Sequence, residues 1–268
     1  MTAATRISVV TPVYNGLRFL DRAVQSLHRQ TVPEWELLAV DDGSSDGSGE
    51  RLEWWAARDQ RVRVFRHPAN RGLSAARNTA LAAATGEWVA YLDHDDEFDP
   101  EHFERVWAWR DRGDMLVFRY RLLEERSCHP GFGLATEYDP AARHDRMFEE
   151  TIAVPLGVAH RRTLLDRVGV FDESLGRYLG HDEDGDLWRR FARAGATFTF
   201  VPQLAGTYHV RADSLARTRI PAPAEPPMPL VTTGDPSSRP RVLFVGYHDQ
   251  ADATSGAALC TGDLFRML

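Results

Sequence analysis

The chain has no lysine: all 32 of its Lys+Arg positions are arginine. A genome biased toward Arg and Ala codons accounts for that, yet the absence has a chemical consequence. Any phosphate bound here has to be met by guanidinium groups, backbone N–H groups or a metal ion. Cysteine is scarce too, with only Cys128 and Cys260, far apart in sequence. Two distant thiols make no disulfide framework, so a reducing compartment, the cytoplasm, is expected. No apolar run approaches the roughly 18 residues of a membrane span. MTAATRISVV has neither a long apolar segment nor a small-residue cleavage site, so no signal peptide is read. Positive charge is also in deficit, with a formal net charge of -7 and no basic stripe, which argues against a nucleic-acid partner.

What is present reads as a soluble globular protein: 268 residues, 43 % apolar and 26 % charged, enough for one large domain or two modest ones. The first hundred residues alternate apolar runs with helical patterns. Strands are expected at Ile7–Val13, Trp35–Val40, Val62–Phe65 and Trp88–Leu92. Leu17, Leu20, Val24 and Leu27 repeat at helical spacing, Asp46 is placed to cap a helix to about residue 59, and an Ala-rich helix runs from Ser74 to near Gly86. Fully apolar strands alternating with helices imply an α/β fold, a Rossmann-like mostly parallel sheet covered by helices on both faces. Ligands of such sheets sit beyond the carboxyl ends of the strands. TPVYNG, DDGSSDGS and DHDD all fall there.

The second half is less regular: a strand at Met115–Leu123, helices at Arg161–Val168 and Asp184–Ala194, and an apolar segment at Phe198–Val201. Residues 221–240 hold seven prolines and read as a linker. The organisation expected is a domain over 1–220, that linker, and the start of a second α/β domain over 241–268.

The most unusual stretch is YLDHDDEFDP, where an apolar strand runs into Asp93, Asp95, Asp96, Glu97 and Asp99. Like charges that close repel by about 4 kcal/mol per pair at an effective dielectric near 20. An EF-hand spacing is met at 93, 95, 97, 99, 101 and 104, but position 6 is Phe98 instead of Gly and a strand precedes the loop, so the helix–loop–helix context is missing. Asp99-Pro100 reads as a helix start. Asp93 and Asp95, oxygen donors on alternate residues at a strand end, suit Mg²⁺ or Mn²⁺ holding a diphosphate.

SVVTPVYNG, LLAVDDGSSDGS, RGLSAARNTAL, GEWVAYLDHDDEFDP and EDGDLWRR, in that order over about residues 6–216, resemble family 2 glycosyltransferases of the GT-A fold. The resemblance implies a metal-dependent inverting transferase. It would move a sugar from a nucleotide-sugar donor, a UDP-sugar, to a hydroxyl acceptor in polysaccharide or glycan biosynthesis. It makes Asp93-His94-Asp95 the DxD motif, with Asp95 on the metal and Asp93 toward ribose or sugar. Pro12 and Tyr14 would form the first nucleotide-binding loop with Tyr14 beside the base, Asp41 and Asp42 would follow strand two with Asp42 accepting from a uracil-type N–H, and Gly72 and Arg77 would close over the nucleotide. Glu183-Asp184 match the ED motif, and Asp184 is the candidate general base. Arg77 can equally be a helix-surface residue, and Trp188 is core or an acceptor platform.

Where the family often carries a Tyr-Arg-x-His-like stretch, this chain reads Tyr208-His209-Val210-Arg211, with the His and Arg places exchanged. His209 is thus a metal ligand or an ordinary histidine, and Arg211 a cation for the diphosphate. Residues 241–257 also resemble the opening of a GT-B glycosyltransferase domain. A lipid-linked acceptor would imply peripheral membrane association. Two other classes stay open, a nucleotidyltransferase and a sugar-nucleotide-binding domain without catalysis, although TPVYNG lacks the Gly- and Arg-rich triphosphate loop of the former.

Overall fold

The computed structural model describes residues 5–124, 154–175 and 183–210. The Pro-rich linker, the 241–268 segment and Arg211 lie outside them. Eight strands form one sheet in the order β3-β2-β1-β4-β7-β6-β8-β5. They are β1 (Ile7–Val13), β2 (Trp35–Asp41), β3 (Val62–Arg66), β4 (Trp88–Tyr91), β5 (Glu97–Phe98), β6 (Met115–Glu124), β7 (Val158–Arg161) and β8 (Phe198–Val210). The pairs β1–β2, β1–β4, β2–β3 and β6–β8 are parallel, whereas β7 and β5 run antiparallel to their neighbours.

β1 and β2 are buried along their whole length, which is why they read as mainly apolar runs, with Ser8, Thr11, Glu36 and Asp41 as buried polar exceptions. On one face Ile7, Val9 and Val13 pack with α1 (Leu17–His28) through Leu20, Val24 and Leu27, and with Phe103 and Val106 of α4 (His102–Trp109). On the other, Val10 and Val40 meet Ala76 and Ala80 of α3 (Leu73–Ala82), Leu164 of α5 (Thr163–Val168) and Leu187, Trp188 and Phe191 of α6 (Glu183–Arg193).

The sheet is strongly curled. Tyr91 is level with Val117 of β6, whereas Glu97 pairs with Thr207, level with Arg121, and three strands intervene. On a flat sheet that separation is roughly 23 Å, four strand spacings sideways and four residues along. The link 92–96 contains a turn closed by Asp96 N–H donating to Asp93 O at 3.0 Å. Its reach is then only about 18 Å. Bulges in β6–β8 between Phe118 and Arg121 supply the bend.

Three expectations need correction. The helix after β2, α2 (Ser48–Ala56), has Gly47 at φ 96° in the capping position and ends before residue 59. Asp46 instead serves two helices: Oδ1 accepts from Ser48 N–H at 3.0 Å and Oδ2 from Leu17 N–H at 3.0 Å. α3 stops at Ala82, short of Gly86. Asp99 does not cap α4, which begins at His102. Its carboxylate holds Arg121 and, at 3.5 Å, Arg105, because those guanidinium groups outcompete an N–H for it.

Candidate active site

The loops beyond β1, β2, β3 and β4 converge as the topology requires. The β1 and β2 loops are laced by Asn15, whose Oδ1 accepts from Ser45 N–H at 2.9 Å and whose N–H donates to Ser44 Oγ at 3.0 Å. Asn15 takes a left-handed φ of 49°, a conformation Asn tolerates. This leaves the Tyr14 ring 47 % exposed at the rim. Close by, Gly43, Ser44, Arg66, His67 and Pro68 line a pocket of about 300 Å³. His94 reaches back from the acidic loop, its Nδ1 donating to Pro12 O at 3.3 Å. A Cβ on Gly16 would overlap that ring, with His94 Cγ at 2.7 Å, so glycine lets the two loops touch.

The two acids at the end of β2, Asp41 and Asp42, are held largely by groups at and beyond the end of β3. Asp41 is fully buried, accepting from Ser44 N–H at 2.9 Å and pairing with Arg66 Nε at 3.0 Å. Asp42 Oδ1 accepts from His67 Nδ1–H at 2.6 Å and Arg71 N–H at 2.9 Å, and Oδ2 accepts from Gly72 N–H at 2.8 Å. Gly72, at φ 98°, is where that loop turns into α3. His67 Nε2 shares a hydrogen bond with the Thr79 hydroxyl at 2.9 Å. Sequence reasoning passed over His67, whose signal was its place beside Pro68 at the end of β3.

Arg77 is no surface residue: it is 1 % exposed. Nη1 lies 2.5 Å from Asp184 Oδ1 and 3.7 Å from Glu183 Oε1, and Nη2 lies 3.3 Å from Asp93 Oδ1. Burial opposes its charge, but Asp184, Asp93 and Glu183 more than offset this and raise its pKa. One guanidinium thus joins Asp184 at the start of α6 to Asp93 beyond β4. Trp188 is core, 2 % exposed, edge-on to Tyr91 and Phe171.

Asp95 and Asp93 lie around Asp96, whose carboxyl is pushed well above its usual range by burial and by the charges of Asp95 and Asp93. Asp96 Oδ1 accepts from His209 N–H at 2.9 Å, and among the described residues Oδ2 has no donor. His209 Nε2 is 3.3 Å from Glu97 Oε1, and burial followed by the Arg22 charge lowers its pKa. Arg22 donates to Asp95 O at 2.6 Å and lies 3.4 Å from Glu97. The structure therefore gathers Asp93, Asp95, Asp96, Arg77 and Asp184, while the His209 ring turns to Glu97. No group of three potential ligands is pre-assembled among the described residues. Two hard carboxylates in an acid-rich loop still fit Mg²⁺ or Mn²⁺, which commonly bind one or two protein carboxylates and complete their shell with phosphate and water oxygens.

A curled α/β sheet with acids gathered at its carboxyl edge is the architecture of GT-A glycosyltransferases, and the comparisons agree. The model of the family described as "Glycosyl transferase family 2" matches residues 8–166. This chain belongs to that family. It is 32 % identical over 162 residues to the putative teichuronic acid biosynthesis glycosyltransferase TuaG of Bacillus subtilis, covering 60 % of this chain and 58 % of TuaG. Its fold is similar to that of Staphylococcus aureus TarS in complex with UDP-GlcNAc, with a TM-score of 0.61 at 22 % identity over 78 % of this chain and 60 % of that one. It is similar as well to the mannosyltransferase PcManGT of Pyrobaculum calidifontis in complex with GDP-Man and Mn²⁺, at TM-score 0.59 and 20 % identity over 81 % of this chain and 60 % of that one. The chain spans 29 % to 58 % of the length of the first curated relatives it matches. No helix among the described residues is long and apolar enough to cross a membrane.

Proposed function

We propose that this chain is the donor-binding and catalytic unit of an inverting glycosyltransferase, moving a sugar from a UDP-sugar to a hydroxyl of a growing glycan. The observation that carries the reading is the shared guanidinium: Arg77 stands 2.5 Å from Asp184 and 3.3 Å from Asp93. A general base must lie within reach of both acceptor and donor ends, and the single guanidinium between Asp184 and Asp93 supports reading the first as that base and the second as the first acid of a DxD motif. Family membership, the likeness to TuaG and the UDP-GlcNAc and GDP-Man complexes of its structural neighbours support the substrate class.

In this reading the pocket at Gly43 and His67 takes the base, with the exposed Tyr14 ring beside it, and the N–H groups of Arg71 and Gly72 are held in place by Asp42. Asp93 and Asp95 would hold Mg²⁺ or Mn²⁺, which when bound supplies positive charge against the departing diphosphate. Asp184 takes the acceptor hydroxyl proton as the oxygen attacks the anomeric carbon from the face opposite the nucleotide. Arg211 would add a cation for the diphosphate, His209 would reach the metal only by leaving Glu97, and a lipid-linked acceptor would bring the chain to a membrane surface.

The test is nucleotide release in MnCl₂ from UDP-glucose, UDP-galactose, UDP-GlcNAc and GDP-mannose, with Asp184→Asn as the paired variant. The expected result is slow release to water from one UDP-sugar, lowered at least about 100-fold in the variant while UDP affinity is kept. Unchanged turnover in Asp184→Asn would sink the base assignment, and release from none of the four sugars would overturn the reading of the site.

A further inference from the structure

The stretch RGLSAARNTAL resembles a loop closing over the nucleotide, but its polar side chains are directed elsewhere. Ser74, Arg77 and Asn78 stand at i, i+3 and i+4 on one face of α3. Asn78 grips the backbone of Phe171 twice, Nδ2 donating to its carbonyl at 2.9 Å and Oδ1 accepting from its N–H at 3.0 Å. Nδ2 also reaches Glu173 Oε1 at 3.1 Å, and Arg71 Nη2 reaches Glu173 Oε2 at 3.3 Å. Ser74 Oγ donates to Leu175 O at 3.4 Å. Phe171 in turn packs under the Arg77 guanidinium, with Cζ 5.3 Å from the ring centre. The Ser74, Arg77 and Asn78 contacts join α3, and the Arg71 contact joins the loop just before it, to residues 171–175, which precede α6 and Asp184 in the chain.

We infer that Arg77 is a positioning residue for Asp184, and that α3 is a clasp holding the acceptor-side base in register with the donor-side acid. The inference rests on the proposed role of Asp184 as base. A planar guanidinium offers its donors in a fixed fork. One arm fixes the rotation of the Asp184 carboxylate and the other is fixed by Asp93, so the separation of base and DxD motif is set by one rigid group. Neither arm faces solvent, so the alignment is not diluted by competing water. An arginine closing over the nucleotide would instead contribute to ground-state affinity.

These roles predict opposite kinetics. Arg77→Gln is expected to lower kcat for nucleotide release at least about 30-fold while the Kd for UDP in MnCl₂, read by calorimetry, stays within about threefold of the parent. A tenfold or larger rise in that Kd with kcat retained would overturn the inference and return Arg77 to the nucleotide. Removing the cation leaves Asp184, Asp93 and Glu183 facing one another, so Arg77→Gln can fail to fold. Arg77→Gln/Asp184→Asn removes one of those charges and keeps the question answerable. Its UDP affinity should match that of Asp184→Asn within about threefold, and its residual turnover should be no lower than that variant's, since the second change then removes nothing further. A further tenfold loss of either would refute positioning through Asp184. Loss of activity in Asp184→Asn alongside full activity in Arg77→Gln would reject only this inference. Full activity in Asp184→Asn would reject the reading beneath it.

Discussion

His102→Phe should make the protein less sensitive to acid by an amount that follows from where the imidazole sits. The ring is fully buried at the start of α4, stacked on Phe98 with centroids 4.4 Å apart and edge-on to Phe118 at 4.8 Å. Neither nitrogen has a hydrogen-bond partner among the described residues. Burial, aided by the charge of Arg105, pulls its pKa down to about 3 from the ordinary 6.5. A base whose folded pKa is depressed stays neutral in the fold but takes a proton when unfolded. Its penalty is therefore absent above pH 6.5 and grows as pH falls toward the folded value. At pH 5 the unfolded chain gains about 2 kcal/mol from protonating this one group, and at pH 7.5 less than about 0.1 kcal/mol. Phenylalanine fills the aromatic slot with no lost hydrogen bond and no proton to bind. Any packing cost of the larger ring, typically about 1–3 kcal/mol, applies equally at both pH values. Guanidinium denaturation of parent and variant at pH 7.5 and pH 5 isolates the difference. The expected outcome is that the variant gains about 2 kcal/mol on the parent between the two. Parallel pH dependence would refute the idea that a buried neutral His102 sets acid sensitivity.

His160 should behave in kind but with a cost attached: burial holds its pKa at about 4, and it also bonds Tyr91 and Arg161. His160→Phe should flatten the pH dependence while lowering stability at pH 7.5, because the Tyr91 hydroxyl loses its acceptor, a loss of about 1–3 kcal/mol by denaturation. Asp42→Asn keeps the shape but presents an NH₂ group to either Gly72 N–H or the His67–Arg71 pair. Scanning calorimetry should show a Tm lower by roughly 6–12 °C, for a loss of about 3 kcal/mol. Gly206→Ala would drive a Cβ into Glu97 O and to 2.8 Å from Phe98 Cα. Loss of β5 from β8 should cost at least about 2 kcal/mol, read as a lower guanidinium midpoint, and an unchanged midpoint would contradict that pairing.

The strands that hold the site were legible because both faces of the sheet are covered, so β1, β2 and β4 are written as mainly apolar runs, β2 and β4 leading into acids and β1 into the turn Tyr14-Asn15-Gly16. β5 and β7 were not, since the two residues of β5 carry no period and the VAHR of β7, unlike the WVAY of β4, mixes apolar with charged and polar residues, so both exist only through their partners β8, β4 and β6. The apolar run ends at Val201, yet β8 continues to Val210, because its later half pairs in the curled region where polar residues are admitted. At the site, the residue types were readable and their attachments were not. Asp99-Pro100 carries a local helix signal that a tertiary partner, Arg121, overrides. Arg77 in an Ala-rich helix looks the same whether it faces water or three acids. Asn78 was overlooked although its spacing from Ser74 places both on one face.

The short link between β4 and β5 has a consequence for how this chain can vary. Most surface loops absorb insertions cheaply, since lengthening adds only a logarithmic entropy term. Residues 92–96 are a taut tether across the mouth of a curled sheet. Removing one residue shortens its reach by about 3.5 Å, which could be met only by opening the Asp93–Asp96 turn, by closing the sheet further or by releasing β5. Adding one would slacken the acids without breaking a strand. Deletion and insertion at the same point are therefore unequal injuries. The first strains both the turn that carries Asp93 and Asp95 and the pairing of β5, and the second only the alignment of those acids.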